Sequence, residues 1–431
     1  MSTAKGLRSR RVIQRLIVNR YFHLNIDSKV GLIFTFYIVL FSLALSIVHY
    51  RGTQLGMGEP FNSFLMPGWF GDFSAVFDLW RGNHGLGGVD YGSLYFPGLY
   101  VFAEILFLIT KDTRTAYVLF YVFYLSMVTG SVLLFLRTRG FVTSLMGLIL
   151  IFISYPNLIA LHTGNFEMVV FLLILLAALC AYAEKWNYFS VCIGIAAATK
   201  AFPGIFALAP FVLTSPKIAF RSLLLSVKTS ILFTLFAVLF LPGGVYSDGF
   251  DSLQKIVNST LKSQKMYSDL MVTGVPGLHF GHSVLNGIHS VFGMEFLPSE
   301  NWAYPVMILG VIWTIAALLF IRKLNPPIWL TFGFLGCSGC MFAPTSTDYK
   351  LLYLLPAIIL YFRDIDTKIE SLMLMLVLVC AIVPKPYWYV GSDAWTNANV
   401  WLTPILLLTY QLVSITFMKR AVYREEVVSK S

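Results

Sequence analysis

Residues 166–200 read FEMVVFLLILLAALCAYAEKWNYFSVCIGIAAATK, two apolar runs that are separated by a turn containing Lys185 and closed by Lys200. Continuous apolar runs of about 15 to 22 residues recur along most of the chain, and that length suits a membrane-spanning helix. A transmembrane β-barrel would instead show alternating apolar and polar residues. The sequence therefore predicts an all-α polytopic membrane protein.

The composition supports the same class. Of the 431 residues, 57% are hydrophobic and only 12% are charged, roughly half the charged fraction of soluble domains. The formal net charge of +10 would also suit a nucleic-acid-binding protein. However, the Lys and Arg residues lie between apolar runs and form no basic stripe among stacking aromatics. We therefore expect membrane lipids, and no nucleic acid, as partners.

The cysteines predict neither a disulfide framework nor a metal site. All five lie inside apolar segments, whereas disulfide-rich proteins carry their cysteines in exposed loops. Cys337 and Cys340 have C-x-x-C spacing, but no second pair or His cluster accompanies them. This spacing favours small residues in helix packing over metal or redox chemistry. No metal ligand cluster is apparent.

Basic residues predict the topology. A basic, polar segment precedes the apolar run Val30–Tyr50, which is too long for a signal peptide and is expected to be a retained first helix with a cytoplasmic N-terminus. Lys419 and Arg420 place the C-terminus on the cytoplasmic side as well. The run 95–110 is short and contains Glu104, so we expect it to enter the outer leaflet without crossing.

This scheme makes residues 1–431 a single transmembrane domain with about 12 crossings. Two large loops lie outside: 51–114, with interfacial and re-entrant helices, and 242–302. The remaining spans are predicted at 115–136, 141–161, 166–183, 187–200, 203–215, 222–241, 303–321, 327–343, 350–362, 369–384 and 398–418.

Carboxylates in the first outer loop are candidates for acid–base chemistry, because ionisable residues held against a bilayer commonly mark a functional site. Asp72 opens residues 71–80, whose aromatic spacing fits an interfacial helix. It could cap that helix, or it could be a general base that removes a proton from an acceptor hydroxyl. Asp90 is a candidate second carboxylate.

Cations and other polar side chains are also predicted on the outer side. Lys200 ends an apolar run, and Lys350 follows Asp348-Tyr349. Each lysine could extend to the membrane interface or bind a lipid phosphate. His162 and His282 could be ordinary interfacial histidines or substrate contacts.

The chain has no nucleotide-binding glycine motif of the G-x-x-x-x-G-K-[ST] or G-x-G-x-x-G type. A nucleotide sugar would also be on the cytoplasmic side, whereas the polar residues are predicted outside. A sugar carried on a polyprenyl phosphate is available there, and this favours a lipid-linked donor.

The order of these motifs resembles the GT-C superfamily of glycosyltransferases, most closely glycosyltransferase family 87, which includes polyprenyl-phosphate-mannose-dependent mannosyltransferases. Asn165, Gly98 and Lys350 stand where the family pattern has Gln, Pro and His. The resemblance spans roughly residues 70–360 and rests on Asp72, Gly82, Phe96-Pro97-Gly98, Gly164-Asn165, Lys200-Ala201-Phe202-Pro203, His282-Ser283-Val284-Leu285 and Tyr349-Lys350.

The resemblance implies a GT-C-like fold and transfer of a sugar, most simply mannose, by a single inverting displacement. Asp72 would deprotonate the acceptor, a lipid or glycan hydroxyl, and Lys200 with Lys350 would stabilise the departing lipid phosphate. Asn165, His162, His282 and Asp90 would contact substrate. Family members need no organic cofactor.

The expected location is the cell membrane in a prokaryote or the endoplasmic reticulum membrane in a eukaryote. Two alternatives remain. A lipid-linked sugar flippase or other multi-pass transporter would carry polar groups along several helix interiors, and a structural membrane protein would tolerate loss of Asp72.

Overall fold

The structure is a computed structural model that describes residues 71–83, 86, 96–268, 281–292, 302–343, 346–364, 369–383, 387–389 and 395–430. Within these ranges the predicted apolar runs form helices. The helices in chain order are α1 (Gly71–Asn83), α2 (Pro97–Ile109), α3 (Thr113–Leu136), α4 (Phe141–Ile153), α5 (Tyr155–Thr163), α6 (Glu167–Tyr182), α7 (Trp186–Thr199), α8 (Ala209–Leu213), α9 (Pro216–Phe240), α10 (Val245–Asp248), α11 (Asp251–Ser268), α12 (Val284–Phe292), α13 (Ala303–Arg322), α14 (Ile328–Met341), α15 (Leu355–Arg363), α16 (Ile369–Ile382) and α17 (Ala398–Lys430). Short 3₁₀ helices lie at Arg137–Arg139, Phe202–Leu208 and Asp348–Leu354.

The described residues are consistent with the predicted all-α class, apart from one short pair of strands. Strands β1 (Tyr387–Tyr389) and β2 (Trp395–Asn397) pair antiparallel just before α17, with Trp388 opposite Thr396. Aromatic and β-branched side chains favour a pleated conformation, and both strands are rich in them.

Helix lengths identify an integral membrane protein. Within the described residues, the segments long and apolar enough to cross a membrane are Thr113–Arg139, Pro216–Asp248, Tyr304–Arg322 and Val400–Phe417. The bent pair formed by α4 and α5 would be a fifth. Other apolar helices are shorter, so the figure of about 12 crossings stays a prediction.

Helix α2 has 13 residues, which span roughly 20 Å at 1.5 Å per residue, against about 30 Å for the hydrocarbon core. This length is consistent with the expected re-entrant or interfacial helix. The Glu104 carboxylate of α2 accepts a hydrogen bond from the Trp80 indole at 2.7 Å. The acidic residue that made this run a weak span is therefore bonded to α1.

A bend and a tight turn place the end of α5 beside α1. Ser154 is extended and Pro156 lies in the first turn of α5, so the helix axis bends by 56° between α4 and α5. Helix α5 ends at Gly164 in the left-handed conformation, with φ 68°. A Cβ at Gly164 would lie 2.6 Å from the Cβ of Phe73, so only glycine allows this close approach.

Aromatic packing fixes α1 against the rest of the molecule. The Phe73 ring is buried and stacks on Phe77 and on Phe166, with ring centroids 5.5 Å apart in each pair. Tyr117 and Phe120 of α3 pack against the same ring. The N-terminal end of α1 is thereby held next to the start of α6.

Candidate active site

Asp72 lies in the first turn of α1 and is half-buried. Helix α1 begins at Gly71, so Asp72 is inside the helix and does not occupy the capping position before it. Its negative charge is still favourable there because the helix dipole is positive at the N-terminal end. The buried neighbour Phe73 holds the backbone of this turn in place.

Asn165 joins Asp72 to the start of α6. Its side-chain Nδ2 donates to Asp72 Oδ2 at 2.9 Å, and its Oδ1 accepts from the backbone N–H of Glu167 at 2.8 Å. A carboxylate can only accept and a backbone N–H can only donate, so the amide has one possible orientation. Asn165 therefore acts on Asp72, whereas the sequence predicted it as a substrate contact.

Tyr349 provides a second neighbour for the same carboxylate. Tyr349 is half-buried, and its hydroxyl interacts with the side chains of Asp72 and Thr163. Helices α1 and α5 and the turn before α15 thus meet at Asp72. In the sequence, Tyr349 stands out only as part of the motif Tyr349-Lys350.

Lys200 is engaged in a buried ion pair. It follows the last residue of α7, in an extended conformation, and its Nζ contacts Glu167 Oε1. Tyr353 donates to the other oxygen, Glu167 Oε2, at 2.9 Å. Lys200 is only 6% exposed, so it does not extend to an interface.

Lys350 lies close to this ion pair. It is fully buried, and its Nζ is 4.1 Å from the centre of the Phe202 ring, a favourable cation–π distance. The charges of Lys200 and Glu167 act on Lys350. The site therefore combines two lysines with one carboxylate.

His282 holds the turn that carries Tyr349 and Lys350. The imidazole is buried, with Nε2 3.0 Å from Asp348 Oδ1, and Asp348 also accepts a hydrogen bond from Tyr155. The backbones meet as well, since the His282 N–H donates to the Ser346 carbonyl at 3.1 Å. Asp348 therefore joins His282 to Tyr155.

The fold brings some of the predicted site residues into contact with one another, but not all of them. Two hydrogen bonds and an ion pair join Asp72, Asn165, Glu167 and Lys200. Lys350 lies within electrostatic range of Glu167 and Lys200. His282 contacts this network through the turn 346–350. His162 lies half-buried in the last turn of α5. Asp90 is outside the described residues.

Sequence reasoning missed Glu167, Asp348, Tyr155 and Tyr353. Glu167 carried a usable signal, because it is an acidic residue inside an otherwise apolar run and such residues usually have a functional partner. In the part of the chain that the structure describes, no group of three or more His, Cys, Asp or Glu side chains has the geometry to hold a metal ion.

Comparison with known proteins identifies the family. The profile of glycosyltransferase family 87 matches residues 94–344, more than half of the chain. A search among curated proteins finds no match. The matched range includes His162, Asn165, Lys200 and His282, while Asp72 lies before it and Lys350 after it.

Proposed function

The chain belongs to glycosyltransferase family 87, and we propose that this membrane glycosyltransferase moves mannose from a polyprenyl-phosphate donor to a hydroxyl of a lipid or glycan acceptor. In this proposal the reaction takes place on the non-cytoplasmic side, and both termini of the multi-pass chain are cytoplasmic. One observation carries the proposal. A carboxylate, Asp72, and an ammonium, Lys200, belong to a single network that runs through Asn165 and Glu167.

Asp72 is the proposed general base. The acceptor hydroxyl transfers its proton to the Asp72 carboxylate while its oxygen forms a bond to the anomeric carbon. The bond between that carbon and the phosphate oxygen breaks, and its electron pair leaves with the polyprenyl phosphate. Attack from the side opposite the leaving group inverts the anomeric configuration. Asn165 supports this role because it fixes the direction of the carboxylate.

The lysines are proposed to stabilise the leaving group. The donor is a phosphodiester with one negative charge, and a second charge develops on the phosphate as the sugar departs. Lys200 and Lys350 are the cations that can offset these charges, and Glu167 compensates Lys200 before the donor binds. When the second charge develops, Lys200 can shift from Glu167 toward the phosphate. Glu167 thus keeps a buried cation in place before the donor binds.

Other residues are proposed to contact the sugar and the acceptor near Asp72 and the two lysines. His162 and Tyr349 lie on the Asp72 side, and Asp90 is retained as a candidate from sequence alone. His282 is proposed to act through the turn that carries Tyr349 and Lys350. No organic cofactor enters the proposed chemistry, since side chains act as the base and stabilise the leaving group.

Transfer from radiolabelled polyprenyl-phosphate-mannose to membrane acceptors tests the proposal. Wild-type protein should transfer the label, and Asp72→Asn should not. Asp78→Asn is the matched control, because Asp78 lies on the same helix but accepts a hydrogen bond from Thr113 at 2.7 Å, which an amide oxygen can still accept. Equal transfer by wild type and Asp72→Asn would remove Asp72 as the base.

The donor and the sidedness need separate readouts. Wild-type protein that transfers another sugar from its polyprenyl-phosphate donor, but does not use polyprenyl-phosphate-mannose, would change the proposed sugar. The proposed mechanism would remain. Donor movement across sealed proteoliposomes without formation of a glycoside would favour the flippase alternative. Transfer only when donor and acceptor are added on the side of the termini would contradict the proposed orientation.

A further inference from the structure

Helix α11 has three distinct faces. Ser252, Ile256 and Ser259 are buried and, at spacings of four and three residues, lie on one side of the helix. This is the side that packs on the protein.

A second face of α11 is apolar and exposed. Leu253, Val257 and Leu261 repeat every four residues and are 37%, 53% and 59% exposed. They are rotated by roughly 100° from the buried face at 3.6 residues per turn. Three aligned aliphatic side chains that the described part of the chain leaves uncovered are favourable only beside an apolar neighbour.

The third face of α11 is polar. Lys255, Asn258 and Lys262 are exposed and lie together on the side next to the apolar face. Protein, apolar surface and polar surface therefore occupy three separate sectors of one helix. This arrangement suits a helix at a junction of protein, hydrocarbon and water.

The segment that precedes α11 in the chain also exposes apolar side chains. Helix α9 belongs to the membrane-length segment Pro216–Asp248 and exposes Leu235 and Phe240 to its surroundings. Tyr246 and Phe250, which follow, are 86% and 80% exposed. Exposed aromatic residues at the end of a span are typical of the membrane interface. In the chain, Tyr246 and Phe250 lie between α9 and Leu253.

We propose that α11 lies along the membrane surface beside the end of α9, with Leu253, Val257 and Leu261 in the boundary between headgroups and acyl chains. Lys255, Asn258 and Lys262 then lie on the sector of the helix that faces water. This surface is a lipid-binding site outside the catalytic network, and it depends on neither the identity of the sugar nor the side of the membrane.

Lipid anchoring of α11 has a structural consequence for the second large loop. The chain passes from α11 to Gly281, which forms an isolated β-bridge with Thr347 next to the catalytic turn. In the proposed arrangement, α11 lies at the membrane surface and Gly281 lies beside the turn 346–350.

Photocrosslinking tests the proposal in the full-length protein. The photoreactive amino acid p-benzoylphenylalanine replaces Val257 or, as the matched control, Asn258 on the adjacent polar face. Cells grown with radioactive phosphate supply labelled phospholipids, and membranes are irradiated before the protein is purified. Val257 should give several-fold more labelled lipid adduct than Asn258. Leu235 on α9 is the positive control.

The pair Leu261 and Lys262 repeats the comparison one turn later. If a variant of one pair does not fold, the other pair still tests the proposal. Monodisperse elution in detergent identifies folded variants. Equal lipid labelling at Val257 and Asn258, with strong labelling at Leu235, would overturn the proposal. A crosslink from Val257 to a second copy of the chain or to another protein would overturn it too, because the apolar face would then be a protein interface.

Discussion

The side-chain amide of Asn165 donates a hydrogen bond to the carboxylate of Asp72 at 2.9 Å, across 93 residues of sequence. The same amide is held by the backbone N–H of Glu167, the residue that pairs with Lys200. One short turn, residues 164–167, therefore positions both proposed catalytic groups. Asn165 orients the proposed base Asp72, and Glu167 positions Lys200, which is proposed to bind the phosphate.

Asn165→Ala should lower kcat for sugar transfer by at least about tenfold, because a hydrogen bond to a charged group contributes roughly 1.5 to 3 kcal/mol. The KM for the donor should change little, since the residue acts through Asp72. Steady-state kinetics with varied donor concentration measures both constants. Asn165→Gln keeps the amide and should recover part of kcat. A large rise in donor KM at unchanged kcat would show instead that Asn165 contacts substrate, as its sequence position predicted.

Lys200→Met should destabilise the protein by roughly 3 to 5 kcal/mol, because it leaves the Glu167 carboxylate buried without its cation. The double variant Glu167→Gln/Lys200→Met removes both charges and should recover most of the thermal stability. It should not recover transfer, since the leaving phosphate no longer has the Lys200 ammonium. Thermal unfolding in detergent and the transfer assay separate the two effects. Activity that returns with stability would assign Lys200 a purely structural role.

Lys350→Met should preserve stability and lower kcat by roughly a hundredfold, the size of effect seen when one donor to a developing negative charge is removed. Methionine fills a similar volume and can contact the Phe202 ring through its sulfur, so packing is retained. Lys217→Met provides the control, because Lys217 is exposed near the start of α9. Wild-type turnover in folded Lys350→Met would exclude Lys350 from the reaction.

Gly164→Ala should destabilise the protein more than Gly140→Ala. Both glycines have positive φ. An alanine in the left-handed conformation of Gly164 costs about 1 to 2 kcal/mol, and the backbone cost is no smaller at Gly140, whose φ of 91° and ψ of 165° are essentially restricted to glycine. Only at Gly164 would the new Cβ meet another chain segment, 2.6 Å from Phe73, whereas Gly140 has nothing within 4 Å. The difference between the two unfolding midpoints measures the contact between α5 and α1. Equal midpoints would mean that α1 is not packed there.

His282→Ala should reduce kcat while leaving the acceptor KM nearly unchanged, because the imidazole supports the turn 346–350 through Asp348. Asp348→Asn should have a similar effect, and the double variant should be little worse than either single one, as expected for residues that act together. A double-mutant cycle on kcat provides the measurement. Additive losses would indicate that His282 contacts substrate separately.

Much of this molecule follows from local sequence. The helices form where apolar runs are long enough to satisfy their own backbone in a membrane, and they end at Gly164, at Lys200 before Pro203 and at other residues whose backbone preferences are local. Asp72, Lys200 and Lys350 were identifiable because charged residues beside apolar runs are costly unless they have a partner or a function.

The partners themselves were decided by tertiary structure. Lys200 meets Glu167, 33 residues away, and His282 meets Asp348, because α6, α7 and the turn 346–350 pack side by side. The local pattern of apolar residues does not predict which helix ends become neighbours. The choice of neighbours depends on how buried side chains fit together along the whole of each helix. The sequence by itself determined which residues carry charge at the helix ends. Only the packing determined that Asn165 orients Asp72 and that Glu167 holds Lys200.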